Sequence, residues 1–292
     1  MFVLAHLSDP HLSPLPPLRA AHLLNKRALG FLNWKRKRGS IHRADVLEAL
    51  VRDLKAQAFD HLAVTGDLVN LALEAEFAAA RAWLERLGAP DKVTLVPGNH
   101  DIYVRETAQH AEQAWEAYAR GDAREAFPFV RRRGQVALIG VSSALPTPLF
   151  MATGRIGAEQ LARLESLLAM TGREGLFRAV LIHHPPFGGL SIYQKRLIDA
   201  AGLRAVLRRQ GAELLIHGHH HLRSVQWLEG PRPIPAVGVP SASASPKGSD
   251  EPAAYHLFEI GGNAGAWRCT MIARGFSRAG EIGELERQKL AG

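Results

Sequence analysis

Short apolar runs rich in Val, Ile and Leu alternate along most of this chain with stretches whose apolar residues follow helical spacing. The runs predict six buried strands, at 2–8, 61–65, 92–96, 135–141, 178–183 and 212–217. The stretches between them predict amphipathic helices, at 43–57, 73–87, 106–120, 158–170 and 193–209. Such a β-α-β-α order is typical of an α/β protein, in which helices flank a sheet.

The pattern changes after about residue 222, where strand-like segments follow one another with no helix between them. They lie at 222–229, 234–239, 255–260 and 266–273, separated by Gly, Pro and Ser. Strands joined by short turns pair antiparallel, so we expect these four to finish a second sheet. The charged tail from about residue 275 is expected to pack loosely or fray. No repeat or long linker interrupts the chain, so residues 1–292 are expected to form a single domain.

Charge and cysteine content narrow the class of protein. The chain has 36 Lys and Arg against 28 Asp and Glu, a formal net charge of +8, which favours anionic partners such as phosphate esters, nucleic acid or an acidic membrane surface. Its single cysteine, Cys269, cannot form an intrachain disulfide, so a reducing cytoplasm suits the fold. The start lacks the basic region of a signal peptide, and no stretch approaches the ~18 apolar residues of a membrane span.

Residues 18–43 form a basic segment directly after the first predicted strand. No Asp or Glu interrupts its basic residues, which are Arg19, Lys26, Arg27, Lys35, Arg36, Lys37, Arg38 and Arg43. Its apolar component consists of Leu24, Ala28, Phe31, Leu32 and Trp34, so we expect an inserted basic amphipathic helix. Two interpretations stay open: the helix contacts an anionic membrane surface at the inner face of the membrane, or it packs on the core with a solvated basic face.

Residue types that bind metals gather where five of the predicted strands end. They are Asp9-Pro10-His11, Gly66-Asp67, Gly98-Asn99-His100-Asp101, His183-His184 and His217-Gly218-His219-His220-His221. Open α/β sheets place their ligand sites at the carboxyl ends of the strands. Residues two apart on extended chain point to one side, so Asp9 can grip a cation together with His11, and His219 together with His221.

Each cluster taken alone also has a purely structural interpretation. An Asp-x-His pair is often a cap or a turn, and Gly-Asp after a strand is commonly a turn. The paired histidines could be satisfied by core hydrogen bonds, and the run at 219–221 could be a solvated loop. Five clusters in the same position relative to five strands are hard to explain as coincidence, so the sequence predicts a dinuclear metal site.

The ordered set of motifs resembles the calcineurin-like metallophosphoesterase superfamily. The matching motifs are Asp9-x-His11, Gly66-Asp67, Gly98-Asn99-His100-Asp101, His183 and Gly218-His219-x-His221. The compact size and the Gly-His-x-His ending are most similar to the bacterial cyclic-nucleotide phosphodiesterase group. The resemblance implies an α/β fold, a four-layer α/β/β/α sandwich with two mixed sheets.

The resemblance also implies a pair of metal ions and their ligands. The first ion would be held by Asp9, His11, Asp67 and His221, and the second by Asp67, Asn99, His183 and His219. Asp67 would bridge the two ions with its two carboxylate oxygens, and a hydroxide held between the metals would be the nucleophile. Nitrogen and oxygen ligation without a thiolate suits Mn, Fe or Zn, whereas Ca²⁺ prefers all-oxygen shells.

Further roles follow from the same resemblance. His100 would contact the phosphate and protonate the leaving oxygen, while Asp101 would fix the tautomer of His100 and raise its basicity. The family pattern His-x-Pro favours His183 over His184 as the ligand. His217 is expected to be structural or to support a ligand, and His220 to point away from the site.

The leading functional prediction is hydrolysis of a phosphodiester bond in a small substrate, with cyclic nucleotides as the class that the resemblance implies. The basic insert supports an alternative, hydrolysis of a lipid-linked pyrophosphate such as UDP-2,3-diacylglucosamine at a membrane surface. A nuclease or nucleic-acid-binding protein is a further alternative, disfavoured by the complete ligand set and by the absence of a basic groove pattern. A second basic run, Arg131-Arg132-Arg133, is expected to be a solvated face.

Overall fold

The computed structural model describes residues 1–23, 25–187 and 193–292. Within these ranges the strands are β1 (Phe2–Leu7), β2 (His61–Val64), β3 (Val93–Leu95), β4 (Phe129–Arg133), β5 (Val136–Gly140), β6 (Phe177–Leu181), β7 (Leu214–His217), β8 (Ser224–Leu228), β9 (Ile234–Gly238), β10 (Ala254–Gly261), β11 (Arg268–Phe276) and β12 (Ile282–Ala291). Each of the ten predicted strands has a counterpart among them. Two strands, β4 and β12, are additional.

The helices follow the predicted amphipathic stretches, apart from two in the basic insert. They are α1 (Arg27–Asn33), α2 (Gly39–Ile41), α3 (Ala44–Lys55), α4 (Glu74–Leu87), α5 (Ala108–Trp115), α6 (Ala158–Arg173) and α7 (Ala200–Gln210). The stretch predicted as a helix from residue 193 starts later, at Ala200. None of the helices in the described part of the chain is long and apolar enough to cross a membrane.

The strands form two six-stranded mixed sheets. The first has the order β12-β11-β10-β1-β2-β3, with β1, β2 and β3 parallel and the other neighbours antiparallel. The second has the order β4-β5-β6-β7-β9-β8, with β5, β6, β7 and β9 parallel and an antiparallel strand at each edge. The carboxyl ends of the parallel strands in each sheet therefore reach a common edge.

Alternation along the strands divides the core into three apolar layers. Leu4 and Leu181 face the space between the sheets, whereas their neighbours Ala5 and Val180 face helices on the outside. Helices α3 and α4 cover the first sheet, and α6 and α7 cover the second. The layers stack as α/β/β/α, which confirms the fold expected from the sequence.

The C-terminal part of the chain corrects two expectations. Of the four late strands, β10 and β11 extend the first sheet, and only β8 and β9 finish the second. The charged tail, expected to pack loosely, contains β12, an edge strand paired with β11 along its length. An edge strand pairs with only one neighbour and can keep its charged side chains in water. The many charged residues of the tail are therefore compatible with a strand.

The interpretation of the run at residues 131–133 as a solvated face is wrong for Arg131, whereas Arg132 is exposed. It lies in β4, where alternate side chains point into the protein, and Arg131 is only 4% exposed. Its guanidinium donates hydrogen bonds to the backbone carbonyls of Arg120, Pro90, Val93 and Ala117. Arg131 thus ties an edge strand of the second sheet to β3, an edge strand of the first, and to loops beside it.

The helix expected in the basic insert is present over residues 27–41, with one π-helical turn, Trp34–Arg38, between its two α-helical parts. It is fastened to the core by Arg27, which is 9% exposed and donates to the carbonyls of Leu71 and Ala72 at 2.8 and 2.6 Å. Phe31 and Trp34 stack on each other and are half-buried. Leu24, counted among the apolar residues of this segment, lies outside the described residues.

Candidate metal centre

The residues that follow β1, β2, β3, β6 and β7 meet at one edge of the two sheets. Atoms of Asp9, His11 and Asp67 lie within 4.8 Å of one another, as do atoms of His183, His184 and His219. A third group of this kind joins His11 and His221 to His42. The predicted clusters thus come together because the carboxyl ends of parallel strands share an edge.

Backbone strain is concentrated in this region. Eight non-glycine residues in the described part of the chain have positive φ, and five of them are predicted ligands: Asp9, His11, Asp67, His219 and His221, with φ of 53°, 38°, 54°, 72° and 57°. Such conformations are costly for residues with a Cβ and persist where the surrounding structure enforces them. The strain aims each side chain inward, which is typical of a functional site.

Two glycines allow the backbone to approach the carboxylates closely. A Cβ on Gly98 would collide with the carboxylate of Asp67, and a Cβ on Gly218 would collide with Ser8 and with the carboxylate of Asp9. These positions therefore require glycine, because any side chain would displace an acidic group of the site.

Asp9 and His11 form one half of the site with His221. The Nε2 atom of His221 lies 3.0 Å from Asp9 Oδ1, and the Nε2 atom of His11 lies 3.9 Å from the same oxygen. The Nδ1 atom of His11 is 3.3 Å from the carbonyl of Val69, which can only accept a hydrogen bond. The proton of His11 is therefore on Nδ1, and the lone pair on Nε2 points into the site.

His183 and His219 form the other half. His183 donates from Nδ1 to the carbonyl of Thr65 at 2.6 Å, and His219 donates from Nε2 to the carbonyl of Lys195 at 2.8 Å. The remaining nitrogens, His183 Nε2 and His219 Nδ1, lie 3.3 Å apart. With one proton of each ring placed against its carbonyl, these two nitrogens offer their lone pairs to the site, an arrangement that a cation would stabilise.

Asp67 lies between the two halves. Its Oδ2 atom is 3.8 Å from His11 Nε2 and 3.5 Å from His183 Nε2. Its Oδ1 atom accepts the backbone N–H of His100 at 2.8 Å. A single oxygen, and not the two expected from the sequence, is thus placed to face both halves.

Asn99 supplies a further orphaned group. Its Oδ1 atom is buried, and no hydrogen-bond partner for it exists among the described residues. Buried side-chain oxygens are normally paired, so an unpaired one next to Asp67 and His100 indicates a missing positive partner. The donor set of imidazole nitrogens, carboxylates and one amide oxygen fits a pair of Mn, Fe or Zn ions.

The electrostatics of the site agree with such a partner. Burial opposes ionisation of Asp9, but the charge and hydrogen bond of His221 outweigh it and lower the pKa of Asp9. Burial and the charge of Asp9 raise the pKa of Asp67 well above its ordinary value. Burial lowers the pKa of His11 and of His219, so both rings are neutral and offer lone pairs. A cation between them would favour the ionised form of both carboxylates.

His100 lies beside the same edge of the site. Its Nδ1 atom donates to the carbonyl of Asn70 at 2.6 Å, and its Nε2 atom is 2.7 Å from Nη1 of Arg38. Its ring stacks on Tyr103 with a centroid distance of 5.3 Å. Burial and the charge of Arg38 lower the pKa of His100 well below its ordinary value. A phosphoryl dianion bound nearby would raise the pKa of His100.

Asp101 does not touch the ring of His100, which corrects the expectation from the sequence. Its carboxylate accepts the backbone N–H groups of Asp67, Leu68, Val69 and Gly98 at 2.8 to 3.3 Å. The turn at 98–101 sends consecutive side chains in different directions, so Asp101 points beneath the loop. The carbonyl of Asn70 sets the tautomer of His100 instead, and Asp101 holds the loop that carries Asp67.

Three further histidines of the clusters were not predicted as ligands, and they differ in their surroundings. His184 has both nitrogens engaged, Nδ1 with the hydroxyl of Ser143 at 2.8 Å and Nε2 with the carbonyl of Ala152 at 3.2 Å. That leaves no free lone pair, so the geometry agrees with His183 as the ligand. His217 is 2% exposed and ends β7, and His220 lies half-buried with its ring beside His219.

Two residues that lie in the site were not predicted from the sequence to be part of it. Arg38 and His42, both from the basic insert, reach into it: Arg38 contacts His11 and His100, and His42 lies with its ring 4.4 Å from that of His11. His42 Nδ1 is held by the hydroxyl of Ser243 at 2.9 Å. The sequence signal for either was weak, because both sit in a segment without a strand end and among many similar basic residues.

The chain is similar to several known proteins. A protein of Synechococcus sp. named probable cyclic nucleotide phosphodiesterase is 25% identical over 227 residues, which cover 75% of this chain and 79% of the relative. The fold is shared with a dimetal phosphatase from Danio rerio (TM-score 0.62, 12% identity, 99% of this chain and 98% of the other). It is shared also with a purple acid phosphatase from yellow lupin seeds (TM-score 0.59, 12% identity, 97% of this chain and 52% of the other).

A family of proteins matches most of the sequence as well. The match is to the calcineurin-like phosphoesterases and extends over residues 2–223, which include the end of each strand that contributes to the site. The described geometry, the shared fold and this match lead to one conclusion. The chain belongs to the calcineurin-like phosphoesterase family.

Proposed function

We propose that this protein is a hydrolase that uses two metal ions to cleave phosphodiester bonds, with cyclic nucleotides as the first substrate class to test. The observation that supports the metal requirement most directly is the facing pair of nitrogen lone pairs on His183 and His219, 3.3 Å apart. A cation between two such buried acceptors would offset the cost of burying them.

In this proposal the ligands divide into two sets that share Asp67. Asp9, His11 and His221 hold the first ion, and Asn99, His183 and His219 hold the second. The position of Asp67 Oδ2, 3.8 Å from His11 Nε2 and 3.5 Å from His183 Nε2, supports its place in both sets. The carbonyls of Val69, Thr65 and Lys195 orient His11, His183 and His219 so that each presents one nitrogen.

When bound, the two ions would polarise the phosphoryl oxygens and lower the pKa of the attacking water. The protein's own groups do the rest. Asp101 holds the loop of Asp67 through four backbone hydrogen bonds, so the shared ligand keeps its position. His100 holds one proton on Nδ1 against the carbonyl of Asn70 and presents Nε2 to the site. A bound phosphoryl anion would raise the pKa of His100, so that Nε2 takes up a second proton from water and gives it to the leaving oxygen.

The choice of a diester substrate is supported by the relative from Synechococcus, whose name gives cyclic nucleotides as its substrates. The comparisons favour neither hydrolysis of a lipid-linked pyrophosphate nor a nuclease. The inward placement of Arg38 and Arg131 also removes two of the arginines that a nucleic-acid surface would use.

A substrate panel tests the proposal. The wild-type protein, loaded with Mn²⁺, is offered bis(p-nitrophenyl) phosphate, p-nitrophenyl phosphate, cyclic nucleotides and UDP-2,3-diacylglucosamine. We expect turnover of the diesters to exceed turnover of the monoester and to disappear after chelation and return with metal. Turnover that survives complete removal of metal would contradict the metal requirement.

We propose in addition that the insert contacts an anionic membrane surface. Leu29 and Leu32 are 40% and 41% exposed, and Lys35, Arg36 and Lys37 are exposed on the following turn. Phe31 and Trp34 stack on each other and are half-buried, so the leucines and not the aromatic rings would enter the headgroup layer.

A further inference from the structure

The basic insert carries one cation into the site itself. Arg38 ends the turn Trp34–Arg38, and its guanidinium lies between two rings, with Nη1 2.7 Å from His100 Nε2 and Nη2 3.1 Å from His11 Nε2. Both acceptor nitrogens carry a lone pair, because each ring holds its proton on Nδ1 against a carbonyl. The guanidinium can only donate, so these two contacts are mutually consistent.

The backbone that carries Arg38 is fixed from both sides. The carbonyl of Arg38 accepts the N–H of His42 at 2.8 Å, and the loop at 241–245 holds the next residues through Ser243 and Ser245. On the other side Arg27 anchors the start of the insert. Only the side chain of Arg38 is left to move, by rotation about its own bonds.

The contact of Arg38 with His11 competes with the role of His11 as a ligand. One lone pair on Nε2 cannot serve a guanidinium and a metal together. With His11 as a ligand, Arg38 must turn away from it, and an anionic partner would then balance the charge of its half-buried side chain. No ion pair within 4.0 Å joins Arg38 to a carboxylate in the described part of the chain. The charges of Asp67 and Asp9 act on it from further away, but the proposed function assigns both carboxylates to the metals, so the substrate is the remaining source of an anion.

We propose that Arg38 binds the non-bridging oxygens of the substrate's phosphoryl group and that the insert serves to deliver it. The proposal rests on the function proposed above, because it takes the two metals and the position of His11 from there. A planar guanidinium offers two parallel donors that match two phosphoryl oxygens. Arg38 also lies 2.7 Å from His100, so an oxygen that it holds is within reach of the group that supplies the proton.

The experiment compares Arg38→Gln, Arg38→Lys and Arg43→Gln with the wild type. Arg43 is a matched control, since it lies five residues further on, is exposed, and pairs only with Asp45 on the surface. Binding of inorganic phosphate to the Mn²⁺-loaded proteins is measured by calorimetry, metal content by plasma spectrometry, folding by thermal denaturation, and KM and kcat with bis(p-nitrophenyl) phosphate.

We expect Arg38→Gln to weaken phosphate binding and to raise KM by at least about tenfold, because a charged hydrogen bond contributes roughly that factor. Arg38→Gln should still bind two metals, Arg38→Lys should recover part of the phosphate affinity, and Arg43→Gln should match the wild type.

Two results would overturn the inference in different ways. Phosphate affinity within twofold of the wild type in a folded, metal-loaded Arg38→Gln would make Arg38 a structural cation and leave the proposed function intact. A wild type that binds no metal and hydrolyses none of the esters would overturn the proposed function, and the role of Arg38 with it.

Discussion

His183 Nε2 and His219 Nδ1 lie 3.3 Å apart, and each ring gives its other nitrogen to a backbone carbonyl. Those carbonyls belong to Thr65 and Lys195, so neither ring can flip without losing its hydrogen bond. The protein thus places two opposed nitrogens in a buried position, an arrangement that a bound cation would stabilise.

Replacement of Asp67 by Asn should abolish hydrolysis and reduce the metal content of the protein. The amide lacks the charge that the shared oxygen contributes to both halves of the site. Metal content by plasma spectrometry and turnover of bis(p-nitrophenyl) phosphate measure the effect, with Asp91→Asn as an exposed control. Two tightly bound ions in Asp67→Asn would rule out Asp67 as a bridging ligand.

His100→Ala should separate chemistry from metal binding. We expect kcat to fall by about 10²–10⁴ with metal content near that of the wild type, as for loss of a general acid. The defect should shrink for esters whose leaving group is very acidic, because such groups need no proton. His110→Ala, at an exposed position, is the control. Loss of metal from His100→Ala would identify His100 as a ligand instead.

Asp101→Ala should act on stability before it acts on chemistry. The substitution leaves buried N–H groups of Asp67, Leu68, Val69 and Gly98 without their acceptor. We expect a loss of at least about 3 kcal/mol in the free energy of unfolding, since one unsatisfied buried donor already costs about 1–3 kcal/mol. Urea denaturation measures it. Unchanged stability with a shifted pH profile of kcat would restore the role of Asp101 in tuning His100.

Arg131→Met should destabilise the protein more than any other substitution in the run at 131–133. The guanidinium of Arg131 serves four carbonyls in a buried position, and methionine serves none. A loss of about 3 kcal/mol or more is expected from chemical denaturation, while Arg132→Met, at an exposed ion pair, should cost less than about 1 kcal/mol. Equal effects of the two substitutions would refute the structural role of Arg131.

The membrane proposal predicts that the wild type co-sediments with anionic vesicles at low salt and is released at high salt. Replacing Lys35, Arg36 and Lys37 together by Gln should abolish the binding, since each cation contributes about 1 kcal/mol at an anionic surface. The matched control replaces Arg52, Arg81 and Arg86 by Gln. These substitutions remove the same amount of charge, but from helices α3 and α4. Arg38 is left in place because it lies in the site. If the wild-type protein stays in the supernatant with anionic vesicles at low salt, the membrane proposal is wrong.

Local sequence was sufficient for the parts of this protein that depend on near neighbours. Apolar runs and strand-like segments located the ten predicted strands, and helical spacing located the helices between them, because burial on a sheet or on a helix face leaves a local pattern. The residues just past those strands could be named as candidate ligands for a similar reason: the ends of parallel strands meet at one edge whatever lies between them.

Only the tertiary structure decided which groups those residues touch. Asp101 and His100 are adjacent in sequence, yet Asp101 binds the loop of Asp67 and His100 binds the carbonyl of Asn70. Strand β12 joins the first sheet although its charges suggested a loose tail, and Arg38 turns into the site while its neighbours Lys35, Arg36 and Lys37 stay in water. These outcomes depend on contacts between segments far apart in the chain. The neighbouring sequence of a charged residue is the same whether its side chain is solvated or buried against an acceptor, so local sequence cannot distinguish the two cases.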